Sequence, residues 1–551
     1  MQRNTLTRLR QTFGNFFFQV GRSWTLVVFI GAVILLLPNI CYPMGPDQSL
    51  FAVIGRGLLD GKRLYVDLWD VKPPGIFYFY ALLFRIFGPA MWSVGVVDAL
   101  ISVLLCYLTY LFARRFTGGA AAAFGAITTG AWHARGGHWV ALQAEPLIVA
   151  MVLTSYVLMT RHENSRTFGI IRSIFAGVLF GWAFWIKYVA LVFVPLLVFL
   201  PFFEFDRESK KWCLTKRKGL SHPIEKITCF VMAFLLVGIG IVSALYVRGG
   251  WQPFLQISRL LPPYSLEFVH RYKWSYPVWA WIQTVHGLGR ITLSVTALAL
   301  VVAWRKHELT RVSPIFLGAL LSYLAVAGQF RFNSYTFEVC YPFFAVIRGY
   351  LAVAAINWFF NSIWLSLVLR RPLERIVPAW ALALATVIYA GYEIRGITTR
   401  YTRLEDWVRS PTKSYGQGYW SGATWNLPEQ EEIVNEILRE PGLHTIFVWG
   451  NDSLVYLQTA SSPPSRFISN SWLTQPWAPH EWHDEIESDF HSHRPEYVVV
   501  AKEDVASSGV PDSLAELREF TSISSALNSS YYVQRDLAKF RLYHQRESTT
   551  F

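Results

Sequence analysis

A chain of 551 residues with 53% hydrophobic and only 16% charged side chains is too apolar for an ordinary soluble protein, in which about a quarter of residues are charged. The net charge of +13 is spread in short basic clusters between apolar runs. That is the pattern of topology signals and anionic-lipid contacts, and it argues against a nucleic-acid partner. Five cysteines without a CxxC pair argue against a zinc-thiolate or redox centre; Cys41 and Cys340 read as free thiols, with pairing as the alternative.

Crossing about 30 Å of hydrocarbon takes about 20 apolar residues in a helix. Taken in chain order, runs of that kind fall at 24–41, 91–113, 118–133, 146–160, 168–184, 188–203, 228–247, 287–304, 313–328, 341–365 and 376–394. The first follows Arg3, Arg8, Arg10 and Arg22 and has no small-residue cleavage site, so it reads as a retained helix. The fifth and sixth runs are short and meet at Lys187, where a bend is expected. Arg114 and Arg115, Arg161 to Arg172, the basic loop 204–226, Arg305 to Arg311 and Arg370 to Arg375 occupy every second loop. The positive-inside rule places these loops and the N-terminus in the cytoplasm. The first loop (42–90), the loop 248–286 and the tail then lie outside.

Two apolar helices are expected in the first outer loop without crossing. Leu50, Phe51, Ile54 and Leu58 recur at helical spacing, and a second run covers 74–88. From about 401 the chain changes character. An amphipathic helix is predicted at 428–439, with buried strands at 445–449, ending at Gly450, and at 497–501. Their alternation predicts a small α/β domain, and the lack of a GxGxxG or P-loop gives nucleotide binding no support.

Charged residues at the membrane face are costly and therefore candidates for function. On the outer side these are Asp47, Asp67, Asp70, Lys72, Arg135, His138, Glu145, Lys187 and Arg331. Carboxylates and cations together suit transfer of a sugar from a lipid phosphate. A carboxylate takes the proton of the acceptor hydroxyl, and cations stabilise the departing phosphate. Each residue also has a plainer reading. Asp47 sits where an Asp commonly caps a helix. Lys72 can pair with Asp70, Lys187 with Glu145, and His138 has no second ligand at metal spacing.

The stretch Gly61-Lys62-Arg63-Leu64-Tyr65-Val66-Asp67-Leu68-Trp69-Asp70-Val71-Lys72-Pro73-Pro74-Gly75, within 45–88, resembles the first outer loop of membrane glycosyltransferases of the protein O-mannosyltransferase type (glycosyltransferase family 39-like). The bacterial relatives of these enzymes include the lipid A aminoarabinose transferases. Gly177 to Lys187, Gln143-Ala144-Glu145-Pro146, Ile446 to Gly450 and Pro463 to Phe467 are similar to further patterns of that family.

The resemblance implies a mainly α fold: a polytopic transmembrane bundle of about eleven spans, of the C-type glycosyltransferase fold, with a small C-terminal α/β extracytoplasmic domain. Residues 1–400 would form the transmembrane domain and 401–551 the soluble one. It implies an inverting glycosyltransferase of the plasma (inner) membrane. Its donor would be a polyprenyl-phosphate sugar, and its acceptor a lipid, glycan or protein hydroxyl of the cell envelope. The family's base falls on Asp47; Glu145 and Asp70 become supporting acids; Lys72, Lys187 and Arg331 become donor-phosphate ligands. No metal ligands are assigned, and a divalent cation stays open as cofactor. The rivals are a transporter or lipid-linked glycan flippase, which calls for paired broken helices, and a non-catalytic membrane scaffold.

Overall fold

The computed structural model describes residues 24–160, 165–198, 203–206, 211–214, 221–369, 396–410, 426–504 and 510–546, with single positions at 209, 384, 388 and 391. Nearly all of the predicted span 376–394, together with Arg3, Arg8, Arg10, Arg22, Arg161, Arg207, Lys210, Lys216, Arg217, Lys218, Arg370, Arg371 and Arg375, lies outside the described residues.

Helix α1 (Trp24–Cys41) is followed by α2 (Pro46–Leu59) and α3 (Pro74–Phe87), each with proline in its first turn. Proline's missing N–H costs nothing there and its fixed φ suits the helix. Next come α4 (Met91–Ala113), α5 (Gly119–Gly136), α6 (Ala144–Thr160) and α7 (Arg166–Ile186). At Lys187 the backbone turns extended (φ −160°, ψ 126°) before the short α8 (Tyr188–Val198), so the expected bend is present. The basic loop holds an antiparallel hairpin, β1 (Phe203–Asp206) with β2 (Lys211–Leu214), that its charge pattern had hidden. After it come α9 (Ser221–Val247), α10 (Trp251–Tyr272), α11 (Tyr276–Leu288), α12 (Thr292–Arg305), α13 (Leu309–Ala327) and α14 (Tyr341–Leu369).

The loop before the predicted span 287–304 gains helices, and that span is corrected. The loop 248–286 is helical, and α10 runs through Pro262 and Pro263, although proline removes a backbone hydrogen bond inside a helix. The predicted span 287–304 is interrupted, because Gly289 adopts φ +87° and the chain bends by 78° between Leu288 and Thr292. Among the described residues six helices are long and apolar enough to cross a membrane, with the bent pair as a seventh, and α3, α6 and α8 are shorter apolar helices. The protein is a multi-pass membrane protein.

The compact units do not follow chain order. One comprises 1–40, 96–238 and 267–400; the other comprises 41–95, 239–266 and 401–551. Small residues let the helices of the first unit approach closely. A Cβ on Gly125 of α5 would stand 2.7 Å from the Val346 Cα of α14. In the second unit α2 packs on α3 through Phe51, which meets Phe77 and Tyr80 edge-to-face at 6.0 and 5.5 Å.

The tail contributes α15 (Ile397–Arg409), α16 (Leu427–Ile437), β3 (Ile446–Trp449), α17 (Leu454–Gln458), α18 (Glu481–His493), β4 (Tyr497–Ala501), α19 (Thr521–Ser530), β5 (Tyr531–Asp536) and β6 (Phe540–Gln545). The sheet order is β3-β4-β6-β5, parallel between β3 and β4 and antiparallel elsewhere. The buried pair β3 and β4 falls where the apolar runs predict it. The hairpin β5–β6, half exposed and rich in charge, adds a mixed edge that the apolar-run reading misses.

Candidate active site

In the second unit the loop between α2 and α3 is held in one shape by its own residues. Tyr65 adopts a left-handed φ of 67°, a conformation costly for a side chain of that size. It is fixed by its N–H on the Leu68 carbonyl at 2.7 Å. Its buried ring packs on Phe77 and Phe254, and its hydroxyl donates to the Lys72 carbonyl at 2.8 Å. Arg63 and Asp67 close the turn with a 2.8 Å ion pair on the solvent side. Asp67 is thus a turn residue, its carboxyl held below the usual range chiefly by the Arg63 hydrogen bond.

That geometry delivers three predicted residues to one place. The Lys72 ammonium lies 3.4 Å from Asp47 Oδ1 and 3.6 Å from Asp70 Oδ2, over the face of Phe51 at 4.8 Å. Asp70 is wholly buried, accepts the Lys72 backbone N–H at 2.9 Å, and its second oxygen makes no hydrogen bond among the described residues. Burial pushes its carboxyl above the usual range, against the pull of Lys72. Asp47 differs: its side chain is 30% exposed, and it sits in the first turn of α2, where the helix N-terminus and Lys72 both face it with positive charge. Gly45, not Asp47, is the N-cap residue, so the capping role does not fall on Asp47.

The tail domain braces this loop. The Trp69 N–H donates to the Arg466 carbonyl at 2.9 Å, forming a parallel bridge between Trp69 and Phe467. The Trp69 ring is buried against Phe467, Trp472 and Trp482. Ser49 of α2 and Ser453 share a 3.0 Å hydrogen bond, and Arg56 donates to the Ala460 carbonyl.

Glu145, Lys187 and Arg331 belong to the first unit. Lys187 donates to Glu145, whose other oxygen is buried without a hydrogen-bond partner among the described residues. Arg331 is paired with Glu267 at 3.0 Å and stacks over Phe268. Sequence reasoning missed a buried cluster in the same unit. His133 bridges Glu338, 2.8 Å from Nδ1, and Asp98, 3.1 Å from Nε2. Asp98 also receives Asn39 Nδ2 at 2.9 Å and the Leu142 N–H at 2.7 Å. The signal was present: Asp98 is an acid inside the apolar run 91–113.

The family described as Dolichyl-phosphate-mannose-protein mannosyltransferase matches residues 71–220, a stretch that holds Lys72, Glu145 and Lys187 and begins just after Asp70. The crystal structure of ArnT from Cupriavidus metallidurans bound to undecaprenyl phosphate superposes with a TM-score of 0.50 at 15% identity, over 95% of this chain and 98% of that one. Over residues 71–220 the chain is similar to membrane glycosyltransferases of the protein O-mannosyltransferase type. The apo form of the same ArnT gives a TM-score of 0.52 at 13% identity, over 94% and 97% of the two chains. These likenesses show that the chain shares one fold with ArnT along nearly its whole length. No curated protein sequence matches the chain.

Proposed function

We propose that this protein is a glycosyltransferase that moves a sugar from a polyprenyl-phosphate donor to a hydroxyl of a cell-envelope lipid, glycan or protein on the outer face of the plasma membrane. The observation that carries the reading is the pairing of a part-exposed carboxylate, Asp47, with the Lys72 ammonium at 3.4 Å, backed by buried Asp70. Asp47 takes the proton of the acceptor hydroxyl as that oxygen attacks the anomeric carbon. The bond from that carbon to the phosphate oxygen breaks, and its electrons leave with the phosphate. Lys72 moves from Asp47 onto the phosphate and stabilises the charge that develops there. One displacement with one base inverts the anomeric centre and needs no covalent sugar intermediate. ArnT, which shares the fold, was crystallised with undecaprenyl phosphate, a leaving group of the kind invoked here. The first loop and the tail domain then lie outside the cell and the N-terminus in the cytoplasm.

The test is sugar transfer by the purified protein from labelled polyprenyl-phosphate sugars. Asp47→Asn is expected to lower turnover by about 10²- to 10⁴-fold while the protein still folds. Full activity in that variant would remove Asp47 from the mechanism.

A further inference from the structure

The tail domain carries a second group of ionisable side chains that the transfer chemistry does not use. Glu440 follows α16, Glu496 directly precedes β4, and His544 lies on β6. One ligand atom from each lies within 4.8 Å of the other two. The strand register explains the convergence. His544 stands opposite Tyr497 on β4 and opposite Tyr532 on β5. Glu496 is fixed by its N–H on Thr445 Oγ1 and by its carbonyl, which accepts the Gln545 N–H, both at 2.9 Å.

The surroundings are built as metal sites usually are. A metal-bound imidazole normally gives its other ring nitrogen to an oxygen, which sets its tautomer and aim. His544 Nδ1 lies 2.8 Å from Tyr532 Oη, leaving Nε2 turned toward Glu496 Oε1 at 3.8 Å. The imidazole plane is locked by parallel stacking on Tyr497, with centroids 4.5 Å apart and planes 6° apart. Ligand atoms around a tetrahedral Zn²⁺ are roughly 3.3 Å apart for metal–ligand bonds near 2.0 Å, so a cation would draw this pair together only slightly. His444 orients the other Glu496 oxygen from 2.9 Å, its own second nitrogen being bonded to the Glu440 carbonyl.

A separate observation points to a missing ligand. Tyr497 is fully shielded from solvent, its hydroxyl faces the Glu440 and Glu496 carboxylates, and it makes no hydrogen bond of ordinary geometry among the described residues. We propose that Glu440, Glu496 and His544 form a site for a first-row divalent cation, Zn²⁺ by the preference of mixed imidazole and carboxylate ligands. The Tyr497 hydroxyl, which faces both carboxylates, would hydrogen-bond a water on the metal. The cation ties the segment after α16 to β4 and β6, so its role is structural. The proposal stands apart from the transferase reading, because none of its residues touches Asp47, Asp70 or Lys72.

The experiment uses the tag-free full chain in detergent, stripped with chelator and titrated with Zn²⁺, with metal content measured after dialysis and unfolding followed by temperature. One Zn²⁺ per chain and a higher Tm are expected for the natural protein. Affinity should fall at least about 10-fold in Glu440→Gln and in His544→Gln, and His480→Gln, outside the cluster, should leave it unchanged. Glu440 is exposed, so its variant folds and decides the matter even where His544→Gln does not. A natural chain that retains no Zn²⁺, or a Glu440→Gln variant that binds it undiminished, overturns the proposal.

Discussion

Asp70 receives the Lys72 backbone N–H at 2.9 Å and also stands 3.6 Å from the same residue's ammonium, so one buried carboxylate sets both ends of the lysine. Asp70 is therefore expected to act through Lys72. Asp70→Asn keeps the shape but loses the charge that holds the ammonium. With a close charge pair worth about 1.5–3 kcal/mol, kcat/KM should fall about 10- to 100-fold. Because Lys72 both holds the donor phosphate and stabilises the charge developing on it, the loss should appear in KM for the lipid donor as well as in kcat, whereas Asp47→Asn should act on kcat. Steady-state kinetics on both variants separates the two; a kcat-only effect in Asp70→Asn would contradict a positioning role.

Gly55 lets α2 and α3 approach closely. A Cβ there would lie 2.8 Å from the Tyr80 Cβ and 2.9 Å from the Ala81 backbone nitrogen. Backbone cannot yield as a side-chain tip does, so Gly55→Val should destabilise the unit by about 1–3 kcal/mol through overpacking. Because Phe51 and Lys72 share that interface, transfer should fall along with the Tm. A thermal scan paired with an activity assay checks both.

The His133 bridge separates two buried carboxylates in the helical unit. In His133→Leu, Asp98 and Glu338 lose their common partner, and a cost of about 3–5 kcal/mol is expected, as for other broken buried pairs. His133→Gln, which can still hydrogen-bond both, should recover part of it. Tm values of the two variants in the same detergent give the comparison; equal stability of His133→Leu and the natural protein would count against the bridge.

Asp452, fully buried beside the short helix α17, has its carboxyl pushed up to about 7 by burial and by Asp504. A carboxyl raised in the folded state is easier to ionise in the unfolded chain. It leaves stability untouched at low pH and subtracts from it as pH climbs from about 4 through 7. Asp452→Asn should therefore match the natural protein near pH 4 and exceed its Tm at pH 8. Glu431, raised to about 7 by burial, has the same sign, so the variant removes part of the slope. Circular dichroism melts across that pH range measure it.

Much of this was readable from residues alone, for identifiable reasons. The run at 24–41 is apolar on every side and that at 91–113 carries Asp98 as its one charge, so both read as long helices. Asp47, Asp70 and Lys72 announce themselves as charges on an apolar loop, and the Lys187 bend as a charge between two short runs. The sequence could not show that Tyr65 takes a left-handed turn, or that Trp69 pairs with Phe467, because both depend on residues distant in the chain. The helices across 248–286 were obscured by Pro262 and Pro263. Asp98, His133 and Glu338 were overlooked because each lies alone in its own segment and the cluster exists only once three helical segments meet.

The bond between Ser49 and Ser453 joins residues 404 positions apart. At ribosomal speeds of about 5–20 residues per second, the α2 loop leaves the ribosome roughly 20–80 s before its brace has been translated. Through that interval Trp69 has no Phe467 segment to bridge. A nascent chain already inserted in the bilayer therefore holds its lysine and aspartates on an unsupported loop. The loop is secured only once residues 453–482 fold against it, and a premature stop codon ahead of them yields a product whose loop between α2 and α3 was never braced.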